Sequence, residues 1–160
     1  MLLLFHGCCA SHAITKPKQK ESFVVENCQN CDLILAFGSG TINDLCKFSA
    51  KKLNIDYIIL ISALSMNGYV SKNASITLKN HKKTLEAKLP IAVWCDFVIL
   101  KNAPQELNQA GLADVLCFYS CNFDLILSNQ IFLQNINFEA LKIQQKVVKN
   151  FVKNYKKPQK

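Results

Sequence analysis

Cys31 to Lys47 reads CDLILAFGSGTINDLCK, and its parsing decides the fold class. Leu33 to Phe37 is an apolar run of the length of a buried strand. The run stops at Gly38-Ser39-Gly40. Beyond it, Ile42, Leu45, Cys46, Ser49, Ala50 and Leu53 recur on one face at helical spacing, which predicts a helix over about Ile42 to Leu53. A strand, a turn of small residues and a helix together suit a phosphate. The turn lets the anion approach the backbone, and the new helix offers N–H groups with no intrahelical partner at the positive end of its dipole. Ser39 or Thr41 is the expected cap, and either hydroxyl is also able to bond a phosphate. The pattern is not GxGxxG, and it is not a P-loop because no Gly-Lys-Ser/Thr comes after it. An ordinary strand-to-helix connection is the other reading of the same residues.

Composition narrows the class. The chain has 160 residues, 50% of them hydrophobic, which supports a real core and argues against disorder. No apolar run reaches the roughly 18 residues of a membrane helix, so no membrane insertion is expected. Met1 to Phe5 is apolar, lacks a preceding basic region and is too short for a signal core. It is expected to be a buried strand, as in a domain incomplete at its N-terminus. The net charge of +8 is concentrated at the C-terminus, where Lys142, Lys146, Lys149, Lys153, Lys156, Lys157 and Lys160 mostly lie opposite an apolar stripe of Phe138, Leu141, Val148, Phe151, Val152 and Tyr155. That pattern reads as the solvated face of an amphipathic helix, with an anion-binding or membrane-surface arm as the lesser alternative. Arginine is absent, which counts against sequence-specific nucleic-acid reading. Of the eight cysteines, Cys28 and Cys31 have zinc-ribbon spacing without a second pair; small buried hydrophobes, reduced in a cytoplasm, is the better reading for most.

Taken in order, residues 1–37 read as a strand, a charged loop at Lys16 to Glu21, a strand at Phe23-Val24-Val25, and the strand that begins after Cys31. Tyr57 to Ile61 is a second buried strand of parallel-sheet type. It runs into the polar turn Ser62 to Tyr69, just past a strand's carboxyl end, where open α/β sheets bind ligands. Ala74 to Leu78 and Lys83 to Ala87 suggest an antiparallel hairpin. Pro90 to Trp94 and Phe97 to Leu100 read as a strand region interrupted by Cys95-Asp96. From Pro104 helical spacing takes over.

These residues resemble the glycerol-1-phosphate dehydrogenase family, within the iron-type alcohol dehydrogenase and dehydroquinate synthase-like superfamily. The resemblance rests on GSGTINDLCK, SALSMNGYVSKNAS, LPIAVWCDFVILKNAPQELNQAGLADVL and NFDLILS, in order from about Cys31 to Ser128. It implies an α/β fold: a Rossmann-like nucleotide-binding domain over 1–101, followed over 102–160 by the first helices of an all-α, metal-binding domain, incomplete here. It implies reduction of dihydroxyacetone phosphate to glycerol 1-phosphate with NADH or NADPH, assisted by a divalent metal (zinc, nickel or iron), in a cytoplasmic enzyme of phospholipid biosynthesis. By the same resemblance Gly38, Ser39, Gly40, Thr41 and Ile42 cradle the cofactor pyrophosphate, and Ser62, Ser65 and Ser71 line the cofactor. Asn67 stands where the family usually has a substrate-contacting Asp, and Asp114 matches the first metal ligand, which makes it catalytic and substrate-binding as well.

The chain departs from the family pattern at three places. Asn67 cannot ionise, although its amide is able to bond a substrate hydroxyl. Phe123-Asp124-Leu125 stands where the family tends to have Asp-Trp. The family's two histidine ligands fall in a later part of the helical domain, and His6, His12 and His81 do not match them. A catalytic metal takes about three protein ligands, so a complementing C-terminal segment or a homo-oligomer is the implied partner. Without one, an inactive relative that keeps at most dinucleotide binding is the alternative. The apolar faces of the helices after Pro104 predict exposed patches and self-association.

Overall fold

The structure, a computed structural model, describes residues 2–6, 9–14, 24–26, 28–78, 81–133 and 135–155. The chain divides into two compact units, Met1–Ala110 and Gly111–Lys160. The first is built on a mixed five-stranded sheet. Its strands are β1 (Leu2–His6), β2 (Cys9–Ile14), β3 (Leu33–Gly38), β4 (Asp56–Ile61) and β7 (Ala92–Cys95), in the order β2-β1-β3-β4-β7. β1 is antiparallel to both β2 and β3, whereas β4 runs parallel to β3 on one side and to β7 on the other. Gly38 lies opposite Ile61, so β3 and β4 end level, and the Ser62 N–H donates to the Gly38 carbonyl at 3.1 Å. The two loops that leave these strands therefore emerge side by side.

The alternation of β3 and β4 sends Ile34, Ala36, Tyr57, Ile59 and Ile61 into the core. Helix α1 (Gly40–Leu53) covers them with Cys46 and Ala50, while Ile42, Leu45 and Leu53 pack at the margin. The helix closes on Asn54, whose positive φ of 55° suits an amide side chain better than most, and the Ile55 N–H returns to the Ala50 carbonyl at 3.1 Å. A separate antiparallel hairpin, β5 (Asn73–Leu78) with β6 (His81–Glu86), packs Ala74, Ile76 and Ala87 against Leu45 and Phe48 of α1. The helix is thus held between sheet and hairpin.

Two expectations change, and one strand was not foreseen. Val24 to Glu26 is helical, with the Cys28 N–H bonded to the Val24 carbonyl at 3.0 Å, although Val24 and Val25 are buried as a strand would be. Cys9–Ile14 forms a strand that its mixed composition concealed. Phe97–Lys101 is a short helix, α2, because the Asp96 carboxylate caps it, accepting from the Val98 and Ile99 N–H groups at 2.8 and 3.1 Å. The charged loop at Lys16 to Glu21 lies outside the described residues, as do Phe23 and the last lysines, Lys156, Lys157 and Lys160. Among the six described thiols, Cys28, Cys31 and Cys46 are buried, but Cys95, Cys117 and Cys121 are exposed.

Helix α3 (Gln105–Leu116) begins in the first unit, where the Asn108 side chain accepts from the Leu64 N–H at 2.9 Å and donates to the Leu100 carbonyl at 3.1 Å. The second unit continues α3 and adds α4 (Phe118–Phe132) and α5 (Phe138–Tyr155), the latter capped by the Asn137 side chain at the Ala140 N–H, 3.0 Å away. In α5, Leu141 and Val148 are buried, whereas Phe138, Ile143, Val147 and Phe151 are exposed. Phe123, Ile131 and Phe132 of α4 are exposed too. By length and composition alone the helical stretch Gln105–Phe132 is long and apolar enough to cross a membrane, a test that a core helix also passes.

Candidate nucleotide corner

The level ends of β3 and β4 place the start of α1 beside the 62–71 loop. Gly40 is the first helical residue, and Ser39 stands at the cap position in extended backbone. Neither expected hydroxyl caps the helix: Ser39 makes no side-chain cap bond, and Thr41 already lies inside the first turn. Ser65, from the neighbouring loop, takes that role across 25 residues, its Oγ accepting the Gly40 N–H at 3.0 Å. The N–H groups of Thr41 and Ile42 are the other first-turn donors, and no acidic residue occupies that turn.

Space is available there. A cleft of about 330 Å³ is lined by Ser39, Gly40, Thr41, Asp44, Ser65 and Lys82, among others. The glycines serve the protein's own packing. A Cβ on Gly38 would stand 2.7 Å from the Cβ of Ile42, and one on Gly40 would stand 2.8 Å from the Met66 sulfur. The corner is tight because strand, helix and loop converge on it.

A buried polar lattice fixes this convergence. Lys47 has a fully buried side chain. Its ammonium donates to the Gly68 carbonyl, to Ser71 Oγ at 3.1 Å and to the Asn73 carbonyl at 3.2 Å, with Asp44 at 3.9 Å. Burial lowers its pKa and the Asp44 carboxylate partly restores it. Asn43, also buried, donates to the Tyr69 carbonyl and accepts from the Tyr57 hydroxyl, both at 3.4 Å. The Tyr69 hydroxyl donates to the Ala63 carbonyl at 2.7 Å and lies 3.1 Å from Ser65 Oγ. Asp44, which lines the cleft, accepts the Ser75 N–H at 3.0 Å. Burial raises its pKa, while the Ser75 bond, Lys47 and Lys82 oppose the rise.

The residues singled out from the sequence thus occupy different places. Ser39, Gly40, Thr41 and Ser65 line one cleft, and Gly38 and Ile42 pack against each other beneath it. Ser71 is engaged by Lys47, Gly68 and Asn73, and does not line that cleft. Ser62 links β4 to β3 through its backbone, and Asn67 is exposed at the start of a 3₁₀ turn, Gly68–Val70. Asp114 lies on α3 within the second unit. Residue order alone did not single out Asn43, Asp44, Lys47, Tyr69 or Lys82. The available signal was Asn43 and Lys47 at i and i+4 in line with Ala50, polar residues placed on the buried face of a helix.

A dinucleotide's diphosphate fits the donors present: helix-terminal N–H groups, the hydroxyls of Ser39 and Thr41, and the Lys82 ammonium. Among the described residues no group of three or more His, Cys, Asp or Glu is placed to hold a metal, and Asp114 by itself is fewer than the about three protein ligands a catalytic metal takes.

Residues 8–104 match the iron-containing alcohol dehydrogenase family. The glycerol-1-phosphate dehydrogenase [NAD(P)+] of Geobacillus stearothermophilus is 34% identical over 61% of this chain and 24% of its own length. That of Thermococcus sibiricus is 30% identical over 89% of this chain and 40% of its own. The chain therefore spans well under half the length of these relatives. In three dimensions it is similar to the glycerol dehydrogenase of Schizosaccharomyces pombe, with a TM-score of 0.59 at 20% identity over 68% of this chain and 29% of that one. An iron-containing alcohol dehydrogenase of Thermotoga maritima gives 0.57 at 14% identity over 67% and 36%.

Proposed function

This chain belongs to the iron-containing alcohol dehydrogenase family, and from that premise we propose that it forms the nucleotide-binding part of an oxidoreductase of the glycerol-1-phosphate dehydrogenase type. Its substrates are NADH or NADPH and dihydroxyacetone phosphate, in a cytoplasmic reaction that feeds phospholipid synthesis. The observation that carries this reading is the first turn of α1, with its N–H donors beside a cleft at the level ends of two parallel strands.

When bound, the nicotinamide supplies the hydride. The chain's own residues do the holding. Thr41 and Ile42 N–H groups and the hydroxyls of Ser39 and Thr41 bind the diphosphate. Ser65 braces Gly40, and Ser62 and Ser71 shape the neighbouring loop. Asn67 is assigned to a substrate hydroxyl. Asp114 is assigned as one metal ligand, with the remainder coming from a complementing C-terminal segment or a second copy of the chain. The described residues do not assemble the metal site by themselves.

Asn67, an amide that cannot ionise, favours a second reading, in which the chain binds a dinucleotide without catalysing its oxidation. Calorimetric titration with NADH, followed by an NADH-oxidation assay with dihydroxyacetone phosphate, nickel or zinc and a complementing segment, separates the two. Binding with turnover supports the dehydrogenase. Binding without turnover supports the second reading, and no binding removes both.

A further inference from the structure

Lys47 is the least expected buried group in the first unit: an ammonium with no exposed side-chain surface, placed on the core face of α1. Burying a charge is costly unless its donors are satisfied. An ammonium has three protons, and three acceptors meet it here: the Gly68 carbonyl, Ser71 Oγ and the Asn73 carbonyl. All three belong to the segment that comes after β4, and none belongs to the lysine's own helix. Lys47 therefore uses a buried charge to fix one loop to α1.

That loop reaches the phosphate corner by a chain of bonds with only one consistent direction. The Tyr69 hydroxyl gives its proton to the Ala63 carbonyl at 2.7 Å. Its oxygen is then left to accept from Ser65, 3.1 Å away, so the Ser65 proton points at Tyr69. The Ser65 lone pair in turn receives the Gly40 N–H at 3.0 Å. Asn43 holds the Tyr69 carbonyl from the same face of α1 as Lys47. The rotamer of Ser65, and through it the first N–H of the helix, is set from behind by a loop that Lys47 clamps.

We propose that Lys47 is a positioning residue for the diphosphate corner, acting through the Gly68–Asn73 loop, Tyr69 and Ser65 to fix the N–H groups at Gly40–Ile42. The proposal rests on the dinucleotide reading of that corner. It also explains why Lys47, fully enclosed, is not itself a phosphate contact.

The test is Lys47→Met in the full chain, which keeps the aliphatic stem and removes the three donors. Affinities for ADP and for adenosine are measured by calorimetry at a temperature where circular dichroism shows the variant folded. The expected result is an ADP affinity lowered about tenfold with adenosine within about twofold of wild type, because only ADP uses the corner. A general loss of structure would lower both together. Tyr69→Phe keeps the ring and removes the relay hydroxyl; it is expected to show the same ADP-selective loss, and it decides the matter if Lys47→Met does not fold. Unchanged ADP affinity in a folded variant, or equal losses for ADP and adenosine, overturns the proposal. A wild-type chain that binds no ADP removes the dinucleotide reading itself, and this proposal with it.

Discussion

Gly38→Ala tests the tightness of the corner. The new methyl would lie 2.7 Å from both Cβ and Cγ1 of Ile42. Ordinary contact begins near 3.4 Å, so helix and strand must separate by several tenths of an ångström. Cβ of Ile42 is fixed to the helix backbone and cannot swing aside, so the first turn of α1 has to move. Overpacking of this kind costs about 1–3 kcal/mol. Gly38 has no positive φ, so the penalty is steric rather than conformational. Gly40→Ala is the control. Its methyl meets only side-chain atoms, Met66 Sδ at 2.8 Å, Met66 Cγ at 3.2 Å and Ser65 Oγ at 3.3 Å, which can turn about their own bonds, and Ala gains up to about 1 kcal/mol over Gly in a helix. Urea unfolding of both variants, monitored by circular dichroism, should show Gly38→Ala destabilised by about 1–3 kcal/mol and Gly40→Ala within about 1 kcal/mol of wild type. Gly40→Ala falling below Gly38→Ala, or Gly38→Ala unchanged, refutes the steric argument.

Buried titrating groups and helix caps give further tests. Burial, with Cys31 nearby, pushes the Cys28 thiol from 9.0 up to about 12. The folded state holds this proton more tightly than the unfolded one, so the stabilisation is complete below about pH 9 and is lost as pH rises toward 12, at about 1.4 kcal/mol per pH unit. Lys47, whose pKa is lowered, works the other way below 10.5. Burial raises the Cys46 thiol and the Tyr57 hydroxyl as well, so urea midpoints measured from pH 8 to 11 should decline despite Lys47, and Cys28→Ala should make the decline shallower; identical slopes would contradict the assignment. Asn54 holds the left-handed cap of α1 at φ 55°. Asn54→Ala should therefore cost about 1 kcal/mol by thermal melting while Asn54→Gly stays near neutral. Asp96→Ala, which removes both capping bonds of α2, should cost about 1 kcal/mol and leave ADP affinity unchanged.

Much of the fold could be read from residue order because its signals are local. The apolar runs at Leu33 and Tyr57, the small-residue corner and the helical face ending at Leu53 each declare themselves within a few residues. The errors came where a local rule competed with context. Phe97 to Leu100 is as apolar as a strand, yet Asp96 starts a helix there. Val24 and Val25 are β-branched and buried, yet sit in a helical turn. The corner's bracing was hidden because it is tertiary: Ser65 caps Gly40 from 25 residues away, and Lys47 looks like a surface lysine until the loop that closes over it is seen.

Amide mapping of the full chain by NMR during titration with ADP addresses the diphosphate corner most directly. Saturable shifts are expected at Ser39, Gly40, Thr41 and Ile42, with Ser65 moving alongside them. Saturable binding that leaves these four amides unmoved, or no binding at millimolar ADP, would contradict a phosphate site at the start of α1.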